Sequence, residues 1–412
     1  MTEMYDSIII GAGISGATAA YTLTQQNQKV LVLDKNGIAT GGSGAAGAFV
    51  SPKIGKGSAL QTLTNEAFTY TKDFYRDTCP EYFHQTGVIR IPKDEGDAQK
   101  FSAYEEFNDT QYENYTKEKL NSLGIDVGFD SFYFSDAGDC DALKVCEFLL
   151  RGIDVLKFNV SEIKRENGVW YVLRQAQEPS DRQAQESSDG QDQEPSGSEA
   201  SEFLSEVSVT EPVEVVEVRA KNIVLATGYE SDLVDLRYMG IRGTWGTRGD
   251  FKTHLGLKVS MHQAMSVGSN IDGIIKLGAT HEKEVKDVVP CSEEQALNLK
   301  EKASSLIDTS DLELKEVFCG MRAGSKDYFP LVGQVIDVPY MLETYPAVVR
   351  GAKPALQYVD GLYVLNGLGG RGFVFAPLMA KMLAECISSG AGTDSRVNPD
   401  RLFLKWARKM NR

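Results

Sequence analysis

The chain has 412 residues, of which 42% are hydrophobic and 25% charged, and a formal net charge of −15. That is enough apolar material for a large core and two domains. No apolar run approaches the roughly 18–20 residues that cross a bilayer, and the run at 7–11 is too short, and lacks the basic leader, for a signal peptide, so a cytoplasmic chain with no membrane partner is expected.

The charge is concentrated in one place. Between Gln175 and Val218 stand twelve acids and one basic residue, Arg182, a net −11 that leaves only −4 for the rest. A near-balanced folded part does not exclude a nucleic-acid partner, and it displays no evident basic patch either. Six cysteines are scattered without a CxxC pair, and only four histidines occur. No zinc or iron–sulfur site is expected, and the thiols read as reduced and structural.

Taken in chain order, the stretch 6–35 reads as strand, helix, strand. Ile8, Ile9 and Ile10 lead into Gly11, Gly13 and Gly16, a GxGxxG turn that opens a helix through Ile14 and Ser15. Gly11 permits a tight turn, Gly13 lets backbone approach a pyrophosphate, and Gly16 lets helix and strand pack closely. The helix start supplies free N–H groups and a positive dipole end. A second strand, 30–33, ends in Asp34 and Lys35, and Asp34 can accept from ribose hydroxyls. An acid there disfavours a 2′-phosphate, and so disfavours NADP.

The stretches 58–82 and 102–123 read as helices. Residues 155–173 read as two strands around a turn at 166–168. QAQEPSD, QAQESSD and QDQEPSG then repeat every eight residues from Gln175. Such composition buries almost nothing, so a disordered loop insertion over 175–212 is expected. Residues 213–228 read as two strands, the second buried and ending in Ala226, Thr227 and Gly228. The stretch 241–281 is strand-rich, 291–307 helical, 361–366 a strand and 377–388 a helix.

Alternation at both ends implies an α/β fold: a Rossmann-like, doubly wound domain of the glutathione-reductase kind, with a second domain built on a mixed antiparallel sheet. The expected nucleotide domain takes 1–52, 126–235 and 351–412, and the substrate domain takes 53–125 and 236–350. Two features favour FAD over NAD. One is the returning strand IVLATG. The other is a second strand–glycine–helix unit, YVLNGLGGRGFVFAP, at the far end of the chain. A long dinucleotide can rest its pyrophosphate on the first turn and its isoalloxazine on the second, where a helix dipole stabilises negative charge.

On GAGISG with Asp34, GGSGAAGAFVSP at 41–52, ATG at 226–228, GMRAGSKDYFPLVG at 320–333 and GLGGRGFVFAP at 367–377, the chain resembles the D-amino-acid oxidase and glycine oxidase superfamily of flavoproteins. The resemblance implies FAD as cofactor. The candidate contacts are Gly11, Gly13, Ile14, Ser15, Gly16, Asp34, Lys35, Gly42, Ser43, Ala48, Val160, Ala226, Thr227, Gly228, Gly369, Gly370, Arg371, Gly372 and Phe373. It also implies that Arg322 clamps a substrate carboxylate, for which a guanidinium fork offers two parallel charge-assisted bonds. Arg371 is placed on the flavin or the substrate. Within the superfamily the motifs are similar to those of the oxidoreductase domain of a bifunctional tRNA wobble-uridine modification enzyme, with Leu368 where that family has His and Lys326 where it has Arg.

Both resemblances imply oxidation of a C–N bond beside a carboxylate, by hydride transfer to flavin N5 and hydrolysis of the imine. Two substrates stay open: the carboxymethylaminomethyl group of a tRNA uridine, or a free amine such as glycine, sarcosine or a D-amino acid. Lys53, Lys56, Arg242, Arg248 and Lys252 are the expected basic rim for the first. Tyr328 reads as packing, Trp245 as a candidate pocket wall, and the histidines as structural or exposed.

Overall fold

A computed structural model describes residues 3–174, 217–230, 232–283, 285 and 287–410. The acidic repeat and its expected disorder lie outside the described residues.

The first sheet has eight strands: β1 (Met4–Ile10), β2 (Val30–Asp34), β9 (Asp154–Lys157), β10 (Val160–Glu166), β11 (Val169–Arg174), β12 (Glu217–Leu225), β18 (Leu331–Ile336) and β19 (Tyr358–Asn366). β9, β2, β1, β12 and β19 run parallel in that order. The hairpin β10–β11 attaches to the first half of β12, and β18 closes the other edge against β19. The hairpin turn places Asn167 and Gly168 at φ of 49° and 82°, the left-handed pair that a two-residue turn needs. Ile8, Ile9, Leu31, Val32 and Leu33 are buried. Continuous apolar runs of this kind belong to a parallel sheet covered on both faces.

One cover is helical. α1 (Ile14–Gln25), α2 (Ala59–Thr78), α5 (Ala142–Leu149) and α8 (Gly372–Ser389) share a single core with one face of the sheet. Thr71 Oγ1 donates to Val374 O at 2.8 Å, pinning α2 to α8. The opposite face is covered by α7 (Val338–Thr344) and α9 (Asp400–Ala407), with Tyr238 edge-on to Phe403.

The second sheet runs β17 (Glu313–Gly324), β13 (Arg242–Lys252), β16 (Ile274–Gly278), β15 (Ser266–Val267), β14 (Ser260–His262), β5 (Val88–Arg90), β7 (Ser131–Phe134), β6 (Glu113–Tyr115). Only β14 and β5 are parallel, so it is a mixed antiparallel sheet, as expected. α6 (Glu293–Ala303) packs Ala296, Leu299 and Ala303 onto it. A small sheet of β3 (Phe49–Val50), β8 (Gly138–Cys140) and β4 (Phe83–His84) lies outside both.

Several expectations change. The stretch 102–123 is not one helix. Asp94 accepts from Asp97 N and starts α3 (Glu95–Tyr104) early, and Thr116 caps a separate α4 (Lys117–Ser122) after β6. The last long helix begins at Gly372 rather than 377. Sheet membership moves two boundaries, because β7 joins the second sheet and β18 the first. Cys291 and Cys319 form a disulfide, against the expectation of reduced thiols, while Cys79, Cys140, Cys146 and Cys386 are free and buried. By length and composition Gly369–Ser389 reaches a membrane span. Here it is a core helix, with its buried face on α1 and α2.

Candidate active site

The first glycine turn is fixed by close approach. Gly11 has φ +112°, and a Cβ there would stand 2.3 Å from Ala226 O. A Cβ on Gly16 would meet Gly11 O at 1.8 Å. β1, the start of α1 and the end of β12 are therefore in backbone contact, which only glycine allows. Asp34 is matched inside the chain: Oδ2 accepts from Ala12 N at 2.8 Å, and Oδ1 from Asn36 N and Gly37 N at 2.9 and 3.0 Å. Phe158 N donates to Asp34 O at 2.8 Å, which brings Val160, at the head of β10, toward this corner.

The loop 41–48 crosses between the two sheets. Ser43 Oγ accepts from Ile14 N at 2.9 Å, at the first turn of α1 beside Gly13 and Ser15. A Cβ on Gly42 would meet Met321 O at 2.5 Å and Arg322 Cα at 3.4 Å. Ala48 is buried with φ of 51°. One buried arginine holds this loop. Arg248 Nη1 donates to Gly44 O at 2.9 Å and to Ala46 O, while its Nε and Nη2 reach Asp250 at 2.8 and 3.2 Å. Arg248 is only 4% exposed, so it is an inter-sheet clamp and not part of the expected basic rim.

The reaction end is where the two glycine turns and β17 meet. A Cβ on Gly372 would stand 3.2 Å from Ile14 Cγ2. Gly370 comes within the same range of Arg322, with Nη1 3.8 Å from the position of a Cβ. Arg322 lies opposite Thr244 in the β13–β17 register, and its guanidinium passes over Gly246, where a Cβ would stand 1.6 Å from Nη2. Nη2 donates to Thr280 O, and Nη1 lies 3.1 Å from His281 Nε2. Five N–H donors minus these two leave the fork with free donors.

Arg322 has company. Arg371, at the start of α8, donates from Nη1 to Ser51 O at 3.3 Å. Arg90, the last residue of β5, is the register partner of His262. Among the described residues, none of Arg90, Arg322 and Arg371 makes an ion pair with a carboxylate. Burial pushes Arg371 down to about 10. Burial and the Arg371 charge push Arg90 down to about 9. Burial also lowers Lys53, with Arg371 and Arg90 adding to it. Burial drives His262 well below the ordinary histidine range, and burial with the Arg322 charge lowers His281. Arg90, Arg371, Lys53 and His262 lie within electrostatic reach of one another, as do Arg322 and His281, and of the acids only Asp97 acts on Arg90, without pairing with it.

Other candidates fall elsewhere. Lys35 is exposed and pairs with Glu230 at 2.5 Å. Tyr328 is 70% exposed rather than packed. Trp245 alternates to the strand face opposite Arg322 and so does not wall its pocket. Sequence reading missed Arg90, Thr280 and His281 as neighbours of the site. A lone charge ending a strand looks like a solvent-facing residue, and no local signal marks it.

The residues fit FAD. The glycine cradle meets the first turn of α1, Thr227 Oγ1 is buried without a partner beside it, and Arg371 stands uncompensated at the second turn. A doubly wound sheet with this cradle, joined to a mixed sheet that presents an arginine over the second turn, defines a flavin-dependent oxidoreductase. The chain belongs to the FAD-dependent oxidoreductase family, whose pattern it matches over residues 6–386.

Among curated relatives, the tRNA 5-methylaminomethyl-2-thiouridine biosynthesis bifunctional protein MnmC of Stutzerimonas stutzeri is 24% identical over 398 residues, which are 92% of this chain and 55% of that protein. The protein of the same name from Shewanella amazonensis is 22% identical, over 98% of this chain and 60% of its own length. The chain thus spans little more than half the length of these relatives. Among solved structures, glycine oxidase from Bacillus cereus superposes with a TM-score of 0.71 at 17% identity, covering 94% of this chain and 96% of that one.

Proposed function

We propose that this chain oxidises the C–N bond of an N-carboxymethyl amine, with the carboxymethylaminomethyl group of a tRNA uridine as substrate. The observation that carries the reading is Arg322: half-buried, without an acid partner, and held over Gly246 beside the 369–372 turn. The tRNA assignment is supported by the names of the Stutzerimonas and Shewanella relatives and by the motifs around Arg322 and Arg371.

Bound FAD would supply the two-electron acceptor, held by Gly11, Gly13, Ile14, Ser15, Gly16, Asp34 and Ser43 at one end and by Gly369, Gly370, Arg371, Gly372 and Phe373 at the other. Arg322 grips the substrate carboxylate with its free N–H groups, which fixes the adjacent CH₂ relative to the second turn. Thr280 O and His281 Nε2 hold the guanidinium in plane. Because burial and Arg322 keep His281 neutral, its Nε2 accepts from Arg322 and its proton sits on Nδ1. The net reaction removes two electrons from the C–N bond, and water releases glyoxylate and leaves the aminomethyl nucleoside. No carboxylate or histidine is required as base for a neutral amine.

The test is anaerobic reduction of the purified flavoprotein, followed in the flavin absorption band. Carboxymethylaminomethyl-bearing tRNA is expected to bleach the flavin and release glyoxylate. Bleaching by glycine, sarcosine or D-amino acids and not by the tRNA would replace this reading with a small-amine oxidase. Arg322→Ala is expected to lower kcat/KM by about 10²-fold or more, as loss of a carboxylate-positioning contact does.

A further inference from the structure

The end of the β13–β17 strand pair carries cations that the active site does not use. Arg242 opens β13 opposite Gly324, and Gly324 bridges to Leu368 of the second glycine turn. This strand end therefore lies two residues along β17 from Arg322 and touches the second glycine turn. Lys326 follows on the same chain and packs its stem on the Gly240 turn, where a Cβ would stand 3.2 Å from Lys326 Cβ. Lys405 stands in the last turn of α9 and Lys409 in the turn that follows it, and both lie close enough to Lys326 to act on its charge. α9 is fixed against that turn by Tyr238, edge-on to Phe403, and by Arg237 over the Trp406 ring.

Arg242, Lys326, Lys405 and Lys409 are all exposed, and among the described residues none makes an ion pair. Two acids on the adjoining segments are already taken: Asp235 by Arg237, and Asp327 by Arg401. Side-chain contact with Lys409, then the Arg242 and Lys405 charges, push Lys326 below the ordinary lysine range, as expected where like charges crowd.

Two aromatic rings stand among these cations. Tyr328 is 70% exposed and holds φ of 68°, a left-handed conformation that a bulky residue rarely adopts. Tyr229 is 37% exposed, and its ring lies against Gly243, 3.0 Å from the position of a Cβ. Cations set for phosphates and exposed rings set for bases are the two parts of a single-strand nucleic-acid platform.

We propose that Arg242, Lys326, Lys405 and Lys409, with the rings of Tyr328 and Tyr229, form the docking surface for a single-stranded RNA segment, which delivers its modified base to Arg322. This rests on the tRNA reading above and locates where the RNA lies. Phosphates run along the α9 side, and bases face the 325–330 turn.

The flavin-loaded full chain is titrated with a labelled anticodon stem–loop RNA across a salt series, by fluorescence anisotropy. Lys405→Glu with Lys409→Glu is expected to weaken binding at least tenfold and to flatten the slope of log K against log salt by about 1.5. Tyr328→Gly relieves the left-handed strain and removes the ring. It is expected to weaken binding about fivefold or more, with no loss of melting temperature. Lys164→Glu, on the distant hairpin, is the charge control. Flavin content and melting temperature are read for every variant, so misfolding is visible.

Unchanged affinity and slope in the α9 double variant would overturn the docking surface while leaving the tRNA oxidation test standing. RNA that binds through these residues but never bleaches the flavin would sink the proposed function and keep the surface. A wild-type chain that binds an acidic peptide and no RNA would overturn both.

Discussion

At the nucleotide end the charged and capping groups are matched within the chain, and of the cradle's polar side chains Thr227 Oγ1 is left without a partner. Asp34 accepts three backbone N–H groups, Ser43 takes the Ile14 N–H, and glycines close the remaining space. At the reaction end the reverse holds. Arg90, Arg322 and Arg371 are drawn out of water, and among the described residues none of them is ion-paired with a carboxylate. Arg248 shows that the fold can pair a buried arginine when it needs to, since Asp250 chelates it. The contrast separates scaffold from site. A buried charge without a partner is costly unless a ligand completes it, so the unpaired arginines mark where anions bind and the paired one marks what holds the sheets together.

The strongest way to break this contrast is at Arg248. Arg248→Ala leaves Asp250 and two loop carbonyls unmatched, so urea unfolding is expected to show a loss of about 3 kcal/mol or more. Arg248→Met with Asp250→Leu should recover part of it, and a double variant no better than the single one would argue against the clamp. Next is Gly11→Ala. The new methyl meets Ala226 O at 2.3 Å in a left-handed backbone, a strain on the order of 1–3 kcal/mol. The chain is expected to purify without its yellow colour, and full flavin content would contradict the close-packed cradle.

A pH series sharpens the comparison from the other side. His262 and His281 have folded pKa values below the free value of about 6.5. The unfolded chain therefore binds more protons as pH falls below that value, and stability is full above it and lost on acidification. Between pH 7.5 and 5.5 the fall is expected to come chiefly from the buried His262, approaching about 1.4 kcal/mol per pH unit for that one ring, and His262→Gln should reduce it. A flat profile would mean that the His262 ring is not shielded from water. The smallest effect is expected at Ser43. Ser43→Ala removes one acceptor at the start of α1 and should cost about 1 kcal/mol, read as a modest drop in melting temperature with flavin retained.

Much of the first sheet was legible residue by residue. The Ile8–Ile10 run, the glycine spacing and the acid at 34 are local and need only strand and helix periods to read. The hairpin at 167–168 and the glycine turn before α8 carry their own turn chemistry. The helical cut at 104 was not legible, because Asp94 and Thr116 act as caps only when the chain between them turns into β6. The boundary at β18 was missed for a related reason: an edge strand that returns antiparallel looks the same in either sheet.

By itself, then, the sequence determined the dinucleotide cradle, the alternation that builds a doubly wound sheet, and the arginine segment at 320–333. Each of these is written within a few tens of residues, where local geometry decides the outcome. Only the tertiary structure decided which charges meet. Arg248 with the 44–46 loop, Arg90 with Arg371 and Lys53, Cys291 with Cys319, and Lys326 with α9 are long-range pairings. They are set by strand register and sheet packing, and no short-range period records them.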